Sequence, residues 1–230
     1  MICKKLTILT ASAALGFTLG AFSAHGAERY DMKVRNDFFA GFLGNAEALQ
    51  RALAGAEATL KEEPNHAEAL VWHGGGLYFL AGEAFRKGDA AKGMELAMKG
   101  LAEMQRAVDL APENPGVRVP RGAVLLTASR FQPPAQAKPL IELGVGDFEA
   151  TLRVQAAQFH TLGEHPRGEL LLNLGDGYSR LGRQEEAQGI FERILRELPA
   201  TAYAKRAETW MEKKSLTARE AQCIGCHVSK

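Results

Sequence analysis

Two thiols and one imidazole stand together at the very end of this chain. The closing residues read AQCIGCHVSK, so Cys223 and Cys226 are separated by two residues and His227 follows at once. On a helix, three positions is nearly one turn, so both sulfurs and the ring can face one object. Three chemistries are open to such a set. A disulfide suits an oxidising compartment but leaves the adjacent histidine without a role. A structural zinc site needs four ligands, and the tail supplies three. A thioredoxin-like dithiol needs a strand feeding a helix, and no such pattern occurs in this sequence.

The residues before the motif must hold it. SLTAREAQ places Thr217 and Glu220 in capping-box spacing, which predicts a short helix beginning at Thr217. AKRAETWMEKK, residues 204 to 214, predicts a polar closing helix before it. Further upstream, strand signals are nearly absent, and Ala, Leu, Glu, Arg and Gln recur at helical spacing. Ala46, Leu49, Leu53, Ala56 and Leu60 form one apolar stripe, and Leu101, Met104, Val108 and Leu110 form another. Breaks are expected near residues 64, 112, 163 and 199. The proline-rich stretch FQPPAQAKPLIELGVG is expected to be a loop or a kinked helix.

The first residues give the context. Lys4 and Lys5 precede an uncharged apolar run from Leu6 to Phe22, and Ala24-His25-Gly26 offers small residues for cleavage. This is the pattern of a secretory signal peptide over 1–26, with cleavage expected after Gly26. No membrane span is expected after that cleavage. Of the chain's 3 cysteines, Cys3 leaves with the peptide, so the mature chain keeps only the two of the motif. Losing two lysines from 28 basic residues leaves 26 against 27 acidic ones, a formal charge near −1. That balance argues against nucleic acid as a partner. The expected location is periplasmic.

Residues 168 to 201, GELLLNLGDGYSRLGRQEEAQGIFERILRELPAT, resemble a tetratricopeptide (TPR) repeat. Leu171, Leu174, Gly175 and Tyr178 match its first-helix signature, and Ala187, Phe191 and Pro199 match its second. Ile194 stands where a small residue is usual. Weaker echoes lie upstream, and PRGAVLLTASRF parallels PRGELLLNLGDGY. The resemblance implies an all-α fold: an irregular TPR-like array of antiparallel helix pairs, an α-solenoid, over 27–214, followed by a short tail, 215–230. It also implies a groove that binds a protein or peptide. Asn173, Asp176 and Arg180 are the candidate partner-groove residues.

CIGCH itself resembles the c-type haem attachment motif. The resemblance implies one covalent haem c, with Cys223 and Cys226 forming the thioethers and His227 the proximal iron ligand. Ordinary cytochromes c continue for many residues and fold over the haem, whereas only Val228, Ser229 and Lys230 remain here. A sixth iron ligand must then come from the body, from a partner, or not at all. Candidates in the body are His66, His73, His160 and His165, and Met32, Met94, Met98, Met104 and Met211. The functional expectation is an exported electron-transfer component docking to a periplasmic protein or peptide partner, a redox protein among them. The alternative is a periplasmic scaffold whose CxxCH tail is a disulfide or metal site. Nothing in the sequence points to a catalyst.

Overall fold

The structure is a computed structural model that describes residues 29–221. Within them the chain is helical, with no strand. α1 (Tyr30–Phe42) pairs with α2 (Ala46–Glu62), and α3 (Ala67–Arg86) with α4 (Ala90–Leu110). α5 (Pro115–Ala128) pairs with α6 (Pro134–Gln155), and α7 (Glu164–Arg180) with α8 (Gln184–Glu197). α9 (Ala202–Lys213) closes the stack, and a single turn, α10 (Ala218–Ala221), follows it. The odd-numbered helices pack on one another in order, from α1 through α9. This successive packing of antiparallel pairs makes the fold solenoid-like.

Each expected break falls between two helices, and local chemistry explains why. The side chains of Asn45, His66, Asp89, Asn114 and Thr201 accept backbone N–H groups at the starts of α2, α3, α4, α5 and α9. The proline-rich stretch is a helix, not a loop. Pro134 occupies the first turn of α6, where its missing N–H costs nothing. Pro139 lies inside the same helix, and the carbonyl it cannot serve belongs to exposed Ala135. The apolar stripes hold in part. Leu49, Ala56, Met104 and Val108 are buried, while Ala46 and Leu110 face solvent and Ala52 takes an inner place.

Two apolar clusters fill the interior and meet on α5, where Leu125 belongs to the first and Leu126 to the second. The helices approach closely because small residues lie where they cross. The run Gly74-Gly75-Gly76 on α3 serves three neighbours at once. A Cβ at Gly74 would lie 2.7 Å from the Gly100 carbonyl oxygen of α4. One at Gly75 would touch Val124 of α5, and one at Gly76 would strike Phe38 of α1 and Leu53 of α2. Glycine costs helix propensity, and here that cost is the condition for close packing.

Charges inside the stack are paired. Asp147 of α6 is fully buried and accepts a two-pronged bond from Arg121, at 2.6 and 2.7 Å, and a third from Arg118 at 2.7 Å. Arg121 also donates to Gln105 of α4 at 2.8 Å, so one guanidinium links α4, α5 and α6.

Gly100→Ala is expected to destabilise the protein by about 1–3 kcal/mol, because the new methyl would sit 2.5 Å from the Gly74 carbonyl. Gly55→Ala, on an exposed face of α2 with nothing within 4 Å, is expected to stabilise it by about 0.5–1 kcal/mol. Urea unfolding of the two variants beside the parent checks the opposite signs.

Candidate functional site: the docked tail

Cys223, Cys226 and His227 lie outside the described residues. The described residues do show how the chain approaches them. α9 ends at Lys214, whose φ of 55° places it in the left-handed region. Its N–H bonds the Trp210 carbonyl at 2.7 Å, closing the helix, and its ammonium lies 4.8 Å above the Trp210 ring. The left-handed residue turns the chain back towards α7.

From there the tail is tied to α7 and to the end of α5. The Ser179 hydroxyl donates to the Lys214 carbonyl at 3.3 Å and accepts from the Trp210 indole at 2.9 Å. Leu216 is buried in the C-terminal cluster beside residues of α7 and α9. The Arg130 guanidinium donates to the Leu216 carbonyl at 3.3 Å and to Asp176 at 2.6 Å. Arg180 approaches the same carboxylate at 3.7 Å and donates to the Leu126 carbonyl and to Ser129, at 3.0 and 2.7 Å. Burial pushes the Asp176 carboxyl up, and Arg130 and Arg180 oppose that rise. Burial likewise pulls Arg180 below the usual arginine range, against the charge of Asp176.

The capping box forms as its spacing predicts. The Thr217 N–H and hydroxyl both donate to Glu220, each at 2.8 Å, and the Glu220 N–H returns a bond to the hydroxyl at 3.3 Å. These bonds, the backbone one first, hold the Glu220 carboxyl below its usual range, with help from Lys213. α10 then packs on α7.

The groove candidates separate. Asp176 is buried, and Arg180 is engaged at the seam between α5 and α7. Asn173 is half-buried and donates to the Glu169 carbonyl of its own helix at 2.9 Å. Two residues that sequence reading passed over, Arg130 and Leu216, fasten the tail. Leu216 had a signal, as the large apolar residue inside the polar run EKKSLTARE. Arg130 had none, because its partners come from distant parts of the chain.

The ligand candidates separate too. His73 is buried, with Nδ1 2.6 Å from Glu103 and Nε2 3.3 Å from Glu57. His66 caps α3 through Nδ1, and Met104 is fully buried. Met32, Met94 and Met98 are exposed on the N-terminal half, and Met211 lies partly buried on α9. His160 is exposed just before α7. His165, in the first turn of α7, has Nδ1 2.8 Å from the Tyr203 hydroxyl of α9. No group of three or more His, Cys, Asp and Glu suited to a metal ion occurs among the described residues, and no helix among them is long and apolar enough to cross a membrane. The chain matches no protein-family model, and no curated protein matches it significantly.

Packing of the tail gives a direct test. Leu216→Ala in the full-length chain is expected to cost about 2–3 kcal/mol, read from the urea midpoint. An unchanged midpoint would mean that residues 215–221 are not part of the folded body.

Proposed function

We propose that this chain is an exported, periplasmic TPR-like protein that carries one covalent haem c on its tail and delivers electrons to, or accepts them from, a protein partner. The observation that carries the reading is CIGCH placed directly after an anchored single-turn helix, in a mature chain with no other cysteine. The donor set suits the group. Two thiols three positions apart in sequence would serve the two vinyl substituents of one porphyrin, and the next imidazole would supply a nitrogen ligand to its iron. When bound, the haem supplies reversible one-electron exchange between ferric and ferrous iron.

The residues do the rest. Cys223 and Cys226 would hold the group through two thioether bonds, with each thiol's hydrogen kept in the product. Nothing leaves and nothing is oxidised, so the product weighs the chain plus one intact haem. Cys223 and Cys226 must be reduced for the addition. His227 would hold the iron through a ring nitrogen. The capping box of Thr217 and Glu220 and the burial of Leu216 fix where the tail leaves the body.

The TPR reading of the body draws support from α7 and α8. A Cβ at Gly175 would lie 3.0 Å from the Phe191 ring, and Ala187 and Ile194 are wholly buried at the same pair interface. On that reading the helical array is the partner-binding part, for a periplasmic protein or peptide.

Protein made in a host with haem-maturation machinery is expected to keep its haem through denaturing electrophoresis and to gain the mass of one haem. Replacing both Cys223 and Cys226 with Ser should abolish the gain, and His227→Ala should alter haem incorporation or the visible spectrum. Colourless protein with a Cys223–Cys226 disulfide from such a host would overturn the proposal in favour of the scaffold reading.

A further inference from the structure

Two residues of α4 break the helix's own pattern. α4 turns Gly93, Gly100, Met104, Ala107 and Val108 inward, and its exposed side carries Lys92, Glu95 and Lys99. Met94 and Met98 stand on that exposed side as well, 56% and 65% open to solvent. Burial, the ordinary reason for a large apolar side chain, does not account for them. Four positions apart, they lie on consecutive turns with Cβ atoms about 5–6 Å from one another. Each side chain has three rotatable bonds and a polarizable sulfur, so the two thioethers can turn towards one point between them.

We propose that Met94 and Met98 form a two-thioether site for a soft monovalent metal ion, copper(I) or its analogue silver(I). Thioether sulfur is a soft, uncharged donor that selects copper(I), whereas harder ions are held by nitrogen or carboxylate oxygen. The carboxylates nearby are already engaged. Both oxygens of Glu95 lie 3.1 Å from the Lys92 ammonium. Glu103 lies 2.6 Å from His73 and 4.0 Å from Lys99. The pair therefore offers sulfur without a competing hard donor.

The ground beside the pair is apolar. Leu101, three residues after Met98, packs partly buried against the N-terminal cluster. The Phe85 ring of α3 rests on Gly93, the residue before Met94, where a Cβ would lie 2.7 Å from it. Phe85 is itself exposed, and an open aromatic face attracts a cation. Neither sulfur carries a proton to lose, so the ion is taken up with no proton released. Affinity is then flat between about pH 5 and 8, the range over which a histidine site would change. The site is independent of the haem reading.

The test uses the full-length chain with Cys3, Cys223 and Cys226 each replaced by Ser, because free thiolates would take the metal first. Silver(I) in chloride-free buffer is the probe, followed through carbon-13-labelled methionine methyl signals. One equivalent is expected to shift Met94 and Met98 together. Met32, a solitary methionine of comparable exposure, and buried Met104 should stay in place. Met94→Leu and Met98→Leu should each keep the circular dichroism and weaken binding by roughly a hundredfold, as a two-point hold becomes one-point. Copper(I), supplied anaerobically, should move the same two signals, and zinc(II) should not. The proposal would be overturned by no response to silver(I), or by Met32 titrating alongside the pair. A Leu variant that binds as tightly as the parent would also overturn it, as would zinc(II) moving the pair at the same concentration.

Discussion

A carboxylate out of water must be answered by positive charge, and in this protein that requirement helps fix where the chain lies around Leu216. Asp176 is buried on α7 with Arg130 and Arg180 against it. Removing a partner from such a site typically costs about 3–5 kcal/mol, because the remaining charge is stranded. Arg130 cannot leave Asp176 cheaply, and its second nitrogen holds the Leu216 carbonyl. Arg180 meanwhile fastens α7 to the carbonyl and hydroxyl groups that end α5. One acid thus joins the end of α5, the body of α7 and the start of the tail.

The cluster can form because the helices are close. Small residues at the crossings let α3 meet α1, α2, α4 and α5 at once, and Gly175 does the same between α7 and α8. Close crossings leave little room for adjustment, so side chains are directed rather than free to choose. The α7 stripe that meets the tail is set by the face that α7 gives to α8. Phe191 against Gly175 and stacked on Trp210, with ring centroids 4.5 Å apart, locks α7, α8 and α9 together. Trp210 in turn reaches Ser179, the first residue of α7 to hold the tail.

The approach to the CIGCH motif, residues 215–221, is held against the body. A flexible tether lowers the concentration of correctly oriented donor at any partner surface, while a fixed mount pre-pays that ordering. The left-handed turn at Lys214, the burial of Leu216 and the capping box at Thr217 each remove freedom from the segment just before the motif.

Much of the architecture was legible in the sequence, because it is governed by local physics. Helical periodicity, proline and asparagine at the breaks, and Thr217 with Glu220 all act within a few residues, and the helices and the capping box follow from them. The CIGCH motif is read from the sequence alone, and its residues lie outside the described ones. What only the tertiary structure decided is who meets whom across the chain. Asp176 and Arg180 read as groove residues, since polar side chains on a helix usually face solvent. The burial of Asp176 depends on Arg130, 46 residues away, and no local pattern announces that pairing. Leu216 carried no role in the sequence reading, and its burial depends on where α7 and the end of α5 stand. Sequence fixes which groups need a partner. Which partner each one finds is set by helix crossings that sum contacts along the whole stack.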